Sequence, residues 1–178
     1  MKMFKKLMAV ALAGVMALVV LTGCASNAYN TKEVLDIITD GNPIKVGPLS
    51  VTLKATGEED AAKVMKVYQK YMETKDAKID DMWEATVENI DAALEVAKTT
   101  DTILVSCVKL ETYQSKTMQK EKYAALANSL LQGKSIRYRH VNRASNLTGE
   151  LDGTASLKVD NIGEDTYAVL VVRIPAKK

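Results

Sequence analysis

One histidine, one phenylalanine and one tryptophan occur in 178 residues, with two cysteines and three prolines. Each shortage closes a route. A single imidazole, His140, excludes zinc sites built from several histidines, and a Ser-His-Asp or Cys-His catalytic arrangement would have to be assembled around that one residue. Two cysteines, Cys24 and Cys107, allow one disulfide at most. The nine glycines are scattered, so there is no glycine-rich loop of the kind that cradles phosphates. No internal repeat and no low-complexity tract interrupts the chain.

The first residues differ from the rest. Lys2, Lys5 and Lys6 form a basic start, an almost unbroken apolar run follows from Leu7 to Leu21, and small residues close it at Gly23, Cys24, Ala25 and Ser26. That is the layout of a secretory signal peptide. The apolar run is shorter than the roughly 20 residues a helix needs to cross a bilayer, which argues against a permanent span. Leu21-Thr22-Gly23-Cys24 resembles the lipobox of bacterial lipoprotein precursors, and its place directly after the apolar run makes the resemblance specific. The resemblance covers only about the first 26 residues and implies diacylglyceryl attachment to the Cys24 thiol and cleavage before it. It places residues 1–23 as a signal peptide and Cys24 as the lipidated cysteine; the small polar residues up to 30 read as a short tether, and the length of 31–178 suits one domain. The implied location is the cell membrane, lipid-anchored and facing the extracytoplasmic side, at the outer membrane where the host has one.

Cleavage would also change the charge. The whole chain carries 24 basic and 22 acidic side chains; three of the basic ones leave with the signal, so 21 remain against 22 and the net charge becomes −1. This gives no electrostatic case for nucleic acid as a partner. With Cys24 spent on lipid, Cys107 is left without a disulfide mate, and the domain must rest on its core.

Beyond the tether, Val34, Leu35, Ile37 and Ile38 predict a short helix over Thr31–Thr39, ended by Asp40-Gly41-Asn42-Pro43. Leu49, Val51, Leu53 and Ala55 alternate with polar residues, as in a strand with one wet face. Thr56-Gly57-Glu58-Glu59 has the spacing of a capping box and opens a helix to about Thr74. A second helix spans Ala77 to Thr99. Ile103 to Val108 reads as a strand covered on both faces, and Ser115 to Gln132 as a third long helix closed by Gly133. Ile136, Tyr138 and His140 alternate with Arg137 and Arg139 on a further strand. Thr154 to Ile174 reads as a β-hairpin turning at Asn161–Asp165. The expected fold is α+β, with four or five mostly antiparallel strands and the amphipathic helices packed on one face.

No catalytic constellation emerges. Cys107 sits in the apolar run Val105-Ser106-Cys107-Val108, where a thiol behaves as a small hydrophobe. Asp80, Asp81 and Glu84 read as a solvated helix start rather than a cation site. No cofactor and no metal is implied. Arg137, Arg139, His140 and Arg143 form the local concentration of positive charge and are the candidate residues for an anionic ligand or an acidic envelope protein; the ordinary explanation is a wet strand face whose charges deter edge pairing. The expectation is a non-enzymatic envelope binding module held at the membrane through lipid on Cys24. The rivals are a small enzyme using His140 with an acidic partner, and an assembly lipoprotein docking through its helices.

Overall fold

The computed structural model describes residues 29–46, 49–110, 119–141 and 150–176. The expected signal segment, Cys24, Gly47, Pro48 and Arg143 lie outside the described residues. In chain order the elements are α1 (Thr31–Ile38), β1 (Ile44–Val46), β2 (Leu49–Ala55), α2 (Glu59–Met72), α3 (Ile79–Ala85), α4 (Val87–Ala93), β3 (Thr102–Lys109), α5 (Gln119–Leu131), β4 (Ile136–His140), β5 (Leu151–Ile162) and β6 (Asp165–Ile174). The six strands form one mixed sheet, in the order β1-β2-β5-β6-β3-β4, curled into a half-barrel.

The α+β class stands, and three of its details change. The sheet has six strands rather than four or five, and β2 pairs with β5 in parallel, from Val51↔Leu151 to Ala55↔Ala155. Strand β1 is three residues long, too short to show an alternation in sequence. No hairpin turn joins β2 to β5: three helices, β3, α5 and β4 intervene, and so long a connection leaves their relative direction open.

The helices cover both faces of the sheet, not one. Helices α1 and α5 bring Val34, Leu35, Ile38, Leu126 and Leu130 against Leu53, Leu104, Leu157, Leu170 and Val172. Helices α2, α3 and α4 bring Val64, Met65, Tyr68, Met82 and Ile90 against Ile103, Val105, Cys107, Val169 and Val171. The cause is legible in β3 and β6, where successive side chains are apolar. A strand apolar on both sides is stable only when both sides leave water.

Two local readings also change. The helix expected over Ala77–Thr99 is broken into α3, α4 and a short 3₁₀ turn at Val96–Lys98. The buried Thr86 hydroxyl donates to the Met82 carbonyl at 2.7 Å, a back-bond that bends helices, and Glu95 takes a left-handed φ of 54°. The capping box at Thr56 does not form: the Thr56 hydroxyl donates to the Ala155 carbonyl at 3.0 Å, and Ser156 Oγ accepts the Ala61 N–H at 3.0 Å. Helix α2 is thus capped by the strand it lies on.

The described fold includes Tyr29 and Asn30, the last residues of the expected tether. Tyr29 is buried against Tyr123, with ring centroids 6.0 Å apart, and Asn30 Oδ1 caps α1 by accepting the Lys32 and Glu33 N–H groups.

Strands β5 and β6 form the expected hairpin, paired from Thr154↔Arg173 to Ile162↔Asp165 around Gly163 at φ +63°. Gly153 sits where β2 curls over β5. A Cβ there would lie 2.8 Å from the Arg173 carbonyl oxygen and 2.9 Å from Leu53 Cδ2. Backbone cannot yield as a side-chain tip can, so Gly153→Ala is expected to destabilise the fold by about 1–3 kcal/mol, read as a lower urea midpoint.

Candidate functional site

Strand β4 carries three of the four candidate residues at the sheet edge. Its ladder to β3 pairs Ile103↔His140, Leu104↔Arg139 and Val105↔Tyr138, then slips to Ser106↔Ile136, leaving Arg137 as the bulged residue. The slip parts the two arginines. Arg137 lies 4.7 Å over the Trp83 ring, on the side of α2–α4, while Arg139 stands opposite Leu104, which belongs to the α1–α5 side. Arg137 therefore makes a cation–π contact. Ile136 likewise packs with the α1–α5 layer, whereas Tyr138 faces α2–α4, so the expected shared face of Ile136, Tyr138 and His140 is divided by the same bulge. His140 is half-buried, opposite Ile103. Among the described residues no carboxylate is hydrogen-bonded to it.

A polar cluster that the sequence did not suggest lies at the same end of the sheet. Arg173 on β6 donates from Nε to Asp60 Oδ2 at 2.5 Å and from Nη2 to the Leu94 carbonyl at 3.0 Å; its Nη1 is 3.8 Å from Asp101 Oδ2. The side chains of Arg173 and Asp60 are only about one-fifth exposed. Beside them the Tyr138 hydroxyl donates to the Asp91 carboxylate on α4. Burial pushes the Asp60 carboxyl up, but bonds from Arg173 and Lys63 outweigh it and hold the group below its ordinary 3.8. Burial, and then the Asp91 carboxylate, raise the Tyr138 hydroxyl above its ordinary value. With its fork bound to a carboxylate and a helix-end carbonyl, Arg173 braces α2 and α4 on the sheet rather than facing a ligand. Its alternating position in an apolar strand was visible in the sequence; its partners, 113 and 79 residues away in the chain, were not.

Cys107 is buried in the α2–α4 layer, and burial pushes its thiol up to about 12, with Arg137 pulling it partly back. A thiol that stays protonated is a poor nucleophile. Asp80, Asp81 and Glu84 are exposed on α3. Among the described residues no group of three or more His, Cys, Asp and Glu is placed to hold a metal ion.

A concavity of about 590 Å³ lies between the start of α1 and the middle of β5. It is lined by Tyr29, Lys32, Glu58, Lys158, Val159 and Asp160 among others. Lys158 Nζ bonds Glu58 Oε2 at 2.8 Å. Among the described residues Lys32 enters no ion pair and the Asp160 carboxylate accepts only the Asn161 N–H, at 2.8 Å. The sequence offered no sign of this groove, because its walls come from three separate stretches of chain.

Two outcomes test this account. Asp60 has a lowered folded pKa, so its contribution is complete above the unfolded value of 3.8 and is lost as the pH falls below it. Arg173→Leu is expected to cost about 1.5–3 kcal/mol near neutrality and to flatten stability against pH in that acid range, as urea titrations would show. For Cys107 the sign reverses: its contribution is complete below the unfolded value of 9.0 and disappears as the pH rises toward about 12. In a Cys24→Ala chain, where Cys107 is the sole thiol, a thiol reagent is expected to react only as fast as the protein unfolds. The chain matches no described protein family, no curated protein and no solved structure.

Proposed function

We propose that this chain is a membrane-anchored bacterial lipoprotein whose folded part is a non-enzymatic binding module at the cell envelope. The observation that carries the reading is the run from Lys2 to Cys24, with its basic start, apolar stretch and closing Leu21-Thr22-Gly23-Cys24. Two acyl chains on one cysteine, at roughly 0.8 kcal/mol per buried CH₂, hold a protein at a bilayer stably. Tyr29 stands five positions after Cys24, a reach of at most about 18 Å, so an anchored chain keeps the Tyr29 end of the domain close to the bilayer. The groove opens at that end.

The binding half of the reading draws on the same groove and on the edge strand β4. Lys32 and Asp160 on the groove, and Arg139 on the strand, present charge outward. The reactive side chains are placed otherwise: Cys107 is in the core, and Arg137 is engaged with Trp83. Ile37 and Val87 are the large hydrophobic side chains exposed among the described residues, and they sit on helices that cover opposite faces of the sheet. That arrangement favours a polar ligand or partner over docking through an apolar helix face.

Mass spectrometry of the membrane-extracted protein tests the anchor. The expected product begins at Cys24, carries diacylglycerol, and is lost from the membrane fraction in Cys24→Ala. An unlipidated or uncut chain in the wild type would overturn the proposal.

A further inference from the structure

Strand β5 outlasts its partner. Pairing with β2 ends at Ala55↔Ala155, and the last backbone bonds across that edge are Thr56 N–H to the Ala155 carbonyl at 2.8 Å and Leu157 N–H to the Gly57 carbonyl at 3.0 Å. Beyond Leu157, β5 runs on to Ile162, paired among the described residues with β6 alone. Strand geometry alternates the backbone groups from side to side, so Val159, two residues past Leu157, turns its N–H and C=O away from β6 and toward the vacated edge. The groove of about 590 Å³ lies along this edge and is lined by Lys158, Val159 and Asp160. Beyond Asp160 the edge itself is occupied, where Gln69 Nε2 donates to the Asn161 carbonyl at 2.8 Å and the Asn161 N–H is taken by Asp160.

We infer that this vacated edge of β5 is a docking site for an extended peptide segment of a partner protein, added to the sheet as a strand in line with β2. An unpaired donor and acceptor spaced as in a strand are recognised by another extended backbone. Charge decides which one. Val159 packs toward α1, the side from which Lys32 comes, while Lys158 and Asp160 point to the opposite face with Ser156. Side chains of an added strand alternate between those two sides. Neighbouring acidic and basic residues therefore meet Lys32 and Asp160 respectively, and the Lys158–Glu58 pair remains intact. The inference rests on the binding-module reading and names its partner class.

The test uses the full chain in detergent and fluorescence anisotropy with a blocked, labelled hexapeptide, Ser-Val-Glu-Lys-Val-Ser. Saturable binding is expected, with a Kd on the order of 0.1 mM for so short an edge. N-methylation of the central backbone is expected to weaken it at least about tenfold, because the added strand loses its donor. A Lys-Lys version of the probe is expected to bind about threefold more weakly, and Lys32→Glu to restore it. Absence of saturation up to millimolar peptide would overturn the inference. Equal binding of the N-methylated probe would also overturn it, by showing side-chain adhesion without strand addition. Concentration-dependent self-association abolished by Lys32→Glu would assign the edge to a second copy instead. Mass spectrometry of the same wild-type chain separates the two proposals: peptide binding by a wild-type chain found unlipidated leaves the groove standing and removes the envelope location, and lipidation without peptide binding does the reverse.

Discussion

Strand β6 has no wet side. Tyr167, Val169 and Val171 face α2, α3 and α4, while Ala168, Leu170, Val172 and Ile174 face α1 and α5. Every other placement follows from the need to cover both. Its hairpin mate β5 supplies one edge and β3 the other, so β6 is paired along its length. Two helical layers must then close over the sheet, because apolar area left in water on either side would forfeit roughly 25 cal/mol for each Å². The Tyr29–Tyr123 contact and the Asn30 cap belong to one layer, and the Tyr68–Trp83 edge contact, at 5.4 Å, to the other.

A sheet covered on both faces has few places for polar groups; several of those it holds are bound, while among the described residues the buried Thr102 and Tyr68 hydroxyls have no partner. Ser156, buried on β5, caps α2. Arg173, the one charged side chain in the second half of β6, is held by Asp60 and the Leu94 carbonyl, and Tyr138 by Asp91. These contacts hold α2 and α4 to the sheet, since a desolvated charge without its partner costs far more than a lost surface ion pair. The same layer buries Cys107, which accounts for the raised thiol.

What remains for recognition lies at the margins of the sheet. The bulge in β4 turns Arg137 onto Trp83 and leaves Arg139 outward, so an arginine pair that looks like one anion grip in the sequence becomes two separate groups. At the other margin, β2 leaves β5 at Gly57 to enter α2 and opens the groove beside Val159. One departure is a slip in register and the other is a strand that stops early. Both leave charge or backbone facing water.

Patterns of short range were readable without the structure. Alternation marked β2, the double-sided apolar runs marked β3 and β6, spacings of three and four marked α1, α2 and the middle of α5, and Gly163 sat at the turn of the final hairpin. The basic, apolar and small residues ahead of Tyr29 form a local pattern of the same kind. Each depends on neighbours within a few positions, which the chain states directly. The parallel pairing of β2 with β5, the cap on α2 from Ser156, the Arg173–Asp60 bond and the vacated edge at Val159 depend on residues 95 to 113 positions apart, or on where a partner strand ends. Those belong to the tertiary structure, because a side chain's own sequence neighbourhood says what it must avoid, and only packing decides what it meets.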